Sequence, residues 1–209
     1  MTINKNCWSK KSSKTIFKYC QSIKKKNISI ILTGGRSAKL LYKYLYKYFD
    51  KSKKKISFYL SDERLNSKKL NSSMIEKFFI NKLKVLNYNF FKILDSKSLT
   101  KSLMNYSIIL PPKPDLTILS VGDDGHIASL FPNNNFLDNK LKIKKIYNNS
   151  LTIKNRVTIT SKVILSSKKI FVLCPTLKKK KIFIKLQKNN FKYDKKYPAS
   201  ILKKATWLL

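Results

Sequence analysis

Apolar residues recur along this chain in two rhythms. Short, β-branched or aromatic runs at residues 28–32, 56–60, 90–94, 116–121 and 170–174 read as strands, and residues 156–160 alternate like one. Between them apolar residues fall at helical spacing, best over residues 38–49, where Leu40, Leu41, Tyr44, Leu45 and Tyr48 share a face. Further helices are predicted over residues 8–26, with Trp8, Ile16, Tyr19 and Ile23 on an irregular apolar face, and over 72–83, 99–106 and 177–186. Pro111, Pro112 and Pro114 mark a loop, residues 133–149 form an asparagine- and lysine-rich stretch read as a loop without regular structure, and the tail 198–209 is apolar enough to dock. Strands alternating with helices predict a three-layer, Rossmann-like α/β domain, a mostly parallel sheet flanked by helices. No repeat or linker divides the pattern, so residues 1–209 read as one domain. Sheets of this kind bind ligands at the carboxyl ends of their strands.

Composition narrows the class. At 209 residues and 43% hydrophobic content the chain is long enough to bury a core without disulfides. Cys7, Cys20 and Cys174 are odd in number and widely spaced, which fits neither a disulfide framework nor a zinc knuckle and suits a reducing compartment. There is no apolar signal-peptide core and no run long enough to span a bilayer, so a cytoplasmic protein with no membrane partner is expected, an amphipathic transit peptide being the alternative for so basic a start. The net charge of +36 would ordinarily suggest nucleic acid. Here, however, the lysines run from end to end beside many Asn, Ile, Phe and Tyr, whose codons are A/T-rich like those of lysine. Arginine, the better fork for phosphate and guanine, is nearly absent. Coding bias accounts for that pattern better than a nucleic-acid partner does.

The scarce residues are placed selectively. Ser120-Val121-Gly122-Asp123-Asp124-Gly125-His126-Ile127-Ala128-Ser129-Leu130-Phe131-Pro132 follows a strand and holds the single histidine and two of the four glycines. The other two glycines open Gly34-Gly35-Arg36-Ser37 between the first strand and its helix, a geometry in which backbone N–H groups cradle an anion and Arg36 adds a fork. A plain tight turn is the simpler reading of that pair, and the spacing matches neither a P-loop nor a dinucleotide fingerprint. Ser61-Asp62-Glu63-Arg64 ends the second strand. It is either a salt bridge or helix cap, or a set of polar groups facing a substrate across from Gly35. His126 suits a general base, with Asp124 orienting its ring across Gly125, and a lone surface histidine is the bland alternative. One histidine with no cysteine nearby leaves too few ligands for zinc, so no metal is expected.

These motifs together resemble the 6-phosphogluconolactonases. The stretch from Leu119 to Pro132 is similar to that family's signature, and Thr33-Gly34-Gly35-Arg36-Ser37 and Ser61-Asp62-Glu63-Arg64 resemble its two earlier motifs in the same order. Asn71, Arg156-Val157-Thr158-Ile159-Thr160, Lys178, Tyr197-Pro198-Ala199-Ser200 and Thr206-Trp207 extend the likeness over nearly the whole chain from Ile28. The resemblance implies cofactor-free, metal-independent hydrolysis of 6-phospho-D-glucono-1,5-lactone to 6-phosphogluconate, the second step of the oxidative pentose phosphate pathway; separately, a monomer is expected. It implies that His126 activates water, that Asp62, Arg64 and Asp124 line the sugar and orient the histidine, and that Gly34, Gly35, Arg36, Ser37, Asn71, Arg156 and Lys178 bind substrate or its phosphate. The glucosamine-6-phosphate deaminases are similar to the central motif only as far as Ala128. They carry a glutamate before the proline, where this chain has Phe131, and the position of Arg64 is usually aromatic in them. Pro175 stands where the lactonases usually have glycine, and Ser37-Ala38 where they have Thr-Pro. A fold-keeping binder of RNA or another polyanion is the alternative from outside enzymes.

Overall fold

Runs rich in β-branched and aromatic residues become strands where both faces can be covered, and the computed structural model shows how this chain covers them. It describes residues 4–84, 87–137, 141–148 and 152–209. In chain order the elements are α1 (Lys5–Ser22), β1 (Asn27–Leu32), α2 (Gly35–Phe49), β2 (Lys55–Leu60), β3 (Asp62–Arg64) and α3 (Asn71–Phe78), which a 3₁₀ turn at Ile80–Lys82 extends. There follow β4 (Tyr88–Phe91), α4 (Leu99–Ile109), β5 (Leu116–Ser120), β6 (Ile143–Tyr147), β7 (Asn155–Ile159) and α5 (Ser161–Ser166). The last are β8 (Ile170–Leu173), α6 (Leu177–Lys188), a 3₁₀ turn at Pro198–Ile201, and β9 (Thr206–Leu208).

Six strands form one sheet in the order β4-β2-β1-β5-β8-β9, and every pairing in it is parallel. The chain winds outward from β1 to β4, then returns to the other side of β1 and winds out to β9. That reversal leaves a crevice between the carboxyl ends of β1 and β5, the switch point at which doubly wound sheets bind ligands. The core is built from strand residues such as Ile30, Phe58 and Leu119, each fully buried, and from the apolar stripe Ala38, Leu41, Tyr42, Leu45 and Phe49 of α2. Phe58 and Phe79 meet edge to face at 5.3 Å and Tyr42 stacks on Phe79 at 5.2 Å. Each such ring contributes about 1.5–3 kcal/mol by leaving water. At the opposite ends of the strands, the buried Asp115 accepts from Ser29 N and Oγ, both 3.1 Å, and from Lys25 and Lys168 Nζ at 3.1 and 2.8 Å. That clamp ties β1 to the segment entering β5.

Several predicted boundaries shift. The first helix ends at Ser22, where Ile23 turns to an extended conformation (φ −69°, ψ 123°) ahead of Lys24-Lys25-Lys26, and its start is capped by Asn4, whose side chain accepts from Asn6 N and Cys7 N. The strand expected at 90–94 is Tyr88–Phe91. Four elements were not predicted, the helix α5 among them. Asp62-Glu63-Arg64 is itself a short strand, and with β7 and β6 it makes a second, antiparallel sheet in the order β3-β7-β6. The loop expected over 133–149 holds β6, whose Ile143 and Ile146 are buried while Lys144 is half-buried and Lys145 exposed; residues 138–140 and 149 of that stretch lie outside the described residues. The docking tail ends in β9, an edge strand beside β8. Its Leu208 carbonyl accepts from the Trp8 indole at 2.9 Å, so α1 closes over that end of the sheet. Cys20 and Cys174 are buried free thiols, and burial pushes each up to about 12. Among the described residues no helix is long and apolar enough to cross a membrane.

Candidate active site

β1 stops at Leu32 because Thr33 leaves the sheet. The buried Tyr42 hydroxyl donates to the Thr33 carbonyl at 2.7 Å and pins the turn that follows. Gly34 caps α2 with no side-chain hydrogen bond, so the first-turn N–H groups of α2 remain available at the cleft. Gly34 is required by close approach: a Cβ there would lie 2.1 Å from Asn71 Oδ1. Gly35 has φ +88°, a left-handed conformation that other residues adopt only under strain.

β2 ends where Tyr106, fully buried, satisfies both backbone groups of Leu60 at 2.6 and 2.8 Å and releases the chain into β3. Of the two readings of Asp62-Glu63-Arg64, the carboxylates divide them. Glu63, 1% exposed, accepts from Arg64 N at 2.9 Å and from Asn71 N and Ser72 N at 2.6 and 2.8 Å, and so caps α3 from outside the helix. Asp62, 5% exposed, turns to the cleft and accepts from Ser61 Oγ at 2.7 Å and Ser129 Oγ at 2.8 Å. Asn71 Nδ2 donates to the Asp62 carbonyl at 3.0 Å, which holds Asn71 over Gly34.

β5 delivers the histidine turn. His126 Nδ1 lies 2.5 Å from Asp124 Oδ1, and the His126 N–H donates to the same oxygen at 3.1 Å. Burial pushes the Asp124 carboxyl up, but hydrogen bonds and charge from His126 outweigh it and hold it below the usual range. With Asp124 accepting at Nδ1, the ring proton sits there and Nε2 carries the lone pair. Phe131 packs 4.9 Å from the imidazole, centroid to centroid. Ala199 N donates to the Gly125 carbonyl at 3.0 Å, and Tyr197 fills the space a Gly125 side chain would need.

A cleft of about 390 Å³ at the switch point brings together Gly34, Gly35, Arg36, Ser37, Asp62, Arg64, Asn71, Asp124, His126 and Arg156. All three arginines of the protein therefore line one space. Arg64 and Arg156 are directly opposite in the β3–β7 ladder, an unfavourable pairing of like charges unless an anion lies between them. Burial lowers the Arg156 pKa, Asp62 opposes that, and the guanidinium lies 5.5 Å from the centre of the Phe131 ring.

Lys178 is the exception. It does not line the cleft, and Lys179 does. Thr176 caps α6 by accepting from Lys179 N, which turns the Lys179 side chain back toward β5. There its ammonium donates to the Val121 carbonyl and, at 3.3 Å, to Ser120 Oγ. Burial lowers its pKa, with Asp123 opposing. Among four consecutive lysines only the helix register decides which one faces inward, and the sequence does not show that register. Ser129 was also missed. Its sequence position is in the histidine motif, but its bond to Asp62 exists only through the fold.

Fold and cleft together define a doubly wound α/β protein whose polar site occupies the switch point. The chain belongs to the glucosamine-6-phosphate isomerases/6-phosphogluconolactonase family, whose profile matches residues 8–208. It is 31% identical over 174 residues to a probable 6-phosphogluconolactonase of Dictyostelium discoideum, covering 76% of this chain and 74% of that one. It is 29% identical over 167 residues to probable 6-phosphogluconolactonase 2 of Oryza sativa subsp. indica, covering 69% of this chain and spanning 60% of the rice protein's length. The fold matches the 6-phosphogluconolactonase of Plasmodium vivax with a TM-score of 0.82 at 20% identity, over 99% of this chain and 88% of that one. It also matches a monomeric glucosamine-6-phosphate deaminase with a TM-score of 0.78 at 17% identity, over 99% and 96%. Fold alone therefore does not separate the two activities.

Proposed function

We propose that this chain hydrolyses 6-phospho-D-glucono-1,5-lactone to 6-phospho-D-gluconate in the oxidative pentose phosphate pathway, without a cofactor. The observation that carries the reading is the His126–Asp124 pair at 2.5 Å on a cleft lined by three arginines and a lysine. Nε2 of His126 takes a proton from water as its oxygen bonds to the lactone carbonyl carbon. The tetrahedral oxyanion collapses, the bond from that carbon to the ring oxygen breaks, and the imidazolium returns its proton to the departing oxygen. The new carboxyl group then loses its own proton to solvent. General-base help of this kind is worth roughly 10²–10⁴-fold. Arg36, Arg156 and Lys179, with the N–H groups at the start of α2, hold the phosphate, and Asp62, Arg64 and Asn71 line the sugar.

Phe131 favours this reading over deamination. It packs against His126 and Arg156, and a phenyl ring has no proton to exchange with an opening sugar ring. The names of the curated relatives point the same way. The test generates the lactone in place from glucose 6-phosphate and follows its decay against the uncatalysed rate, for the intact protein and for His126→Ala. Acceleration abolished in the variant supports the mechanism. No acceleration by the intact protein, with ammonia released from glucosamine 6-phosphate instead, would overturn it in favour of the sister activity.

A further inference from the structure

Arg36 and Arg64 line more than the cleft. A second groove of about 510 Å³ adjoins it, between the start of α2, the segment after β3 and α3. Arg36, Lys39, Arg64, Lys68, Lys69 and Lys77 line this groove, with Met74 and Phe78 as apolar wall and no carboxylate. None of those six cations is in an ion pair among the described residues. The lysine content of the chain does not account for such a cluster. The groove between α1 and β9 has a single lysine, Lys11, and the one beside the start of α6 sets its cations against Asp123. Like charges this close repel, and no carboxylate lining the groove offsets them.

Local structure holds the cations in place. Arg64 Nη1 donates to the Lys69 carbonyl at 2.8 Å, which fixes the segment carrying Lys68 and Lys69. Arg64 Nε is buried with no hydrogen-bond partner among the described residues, a donor for which an anionic oxygen would be the natural acceptor. Lys39 and Lys77 ammonium groups lie 4.4 and 5.9 Å from the centre of the Phe78 ring, so both are gathered at one aromatic. With Lys39 already over that ring, the groove offers little for a base to stack on. A single phosphate would satisfy two or three of the cations, whereas a row of phosphates would satisfy the set.

We propose that this groove binds a linear polyphosphate chain, free or carried on a nucleotide. Because Arg36 and Arg64 are shared with the cleft, a bound chain excludes a phosphosugar. The site is tested by titration calorimetry with sodium tripolyphosphate, with ATP and with orthophosphate, none of which requires turnover, so the outcome is independent of the proposed reaction. Tripolyphosphate is expected to bind at one site about tenfold or more tighter than orthophosphate, and to weaken about tenfold in Lys39→Glu/Lys77→Glu. Lys181→Glu/Lys188→Glu on α6, with the same change in net charge, is expected to stay within about twofold of the parent. Circular dichroism checks both folds, and Lys68→Gln/Lys69→Gln is a milder second variant expected to weaken binding severalfold. ATP matching tripolyphosphate would assign a nucleotide as the carrier, and much weaker ATP would assign the free chain. Equal losses in the groove and α6 variants, or orthophosphate binding as tightly as tripolyphosphate, would overturn the proposal.

Discussion

Gly122→Ala isolates the geometry of the histidine pair from everything else in the cleft. Gly122 does not occupy the left-handed region, so its backbone accepts alanine and the effect is purely steric. An added Cβ would lie 2.1 Å from His126 Nδ1, 2.2 Å from Cε1 and 2.5 Å from Asp124 Oδ1, where ordinary contact begins at 3.4 Å. The imidazole must therefore retreat by roughly 1.3 Å, and misplacement of about 1 Å can cost on the order of 10²-fold in rate. The ring and the carboxylate are 32% and 50% exposed, so they can swing outward into solvent rather than strain the core. The stability cost is then near the low end for an overpacked site, about 1 kcal/mol, or roughly 2–4 °C in Tm for a chain of this size. Lactone decay measured at a series of substrate concentrations should show kcat down about 10²-fold or more with KM little changed, because Arg36, Arg64 and Arg156 are untouched. A variant with parental kcat would refute the reasoning, since it would mean that the reaction tolerates a displaced His126. So would a variant that loses activity only by unfolding.

Two further outcomes follow from particular contacts. Lys179→Met should raise KM for the phosphorylated lactone about tenfold or more, while Lys178→Met should leave it within about twofold; steady-state kinetics of the pair decides between neighbouring residues that the sequence does not distinguish. Asp115→Ala removes the acceptor of the Ser29 N–H and of two lysines and should cost about 2–4 kcal/mol in urea unfolding at pH 7. Burial pushes the Asp115 carboxyl up, but its hydrogen bonds from Lys168, Ser29 and Lys25 outweigh it and hold its folded pKa below the ordinary value. Its contribution is therefore complete above the unfolded value near pH ~3.9 and fades as pH falls through the lowered folded value. The gap between parent and variant should narrow over that acid range, and a constant gap would contradict the clamp.

Local pattern was enough for five of the six strands of the parallel sheet and for most of the cleft, for physical reasons that can be named. Strands buried on both faces must be continuous apolar runs, so Ile28 to Leu32 and Leu116 to Val121 announce themselves. The sharp turns after them require glycine, which is scarce here, and the family signature around His126 is contiguous in the chain. Tertiary structure decided what depends on distance or phase. β3 and β6 are too short and too polar to be seen alone, because their pairing with β7 supplies the stability their own residues lack. Glu63 and Asp62 are adjacent in sequence, yet one caps α3 and the other faces the cleft, since neighbouring strand residues point to opposite sides. Lys179 rather than Lys178 lines the cleft because the cap at Thr176 sets the phase of α6. The sequence by itself determined which residue types gather at the strand ends. Only the folded chain, by fixing register and helix phase, determined which of them meet.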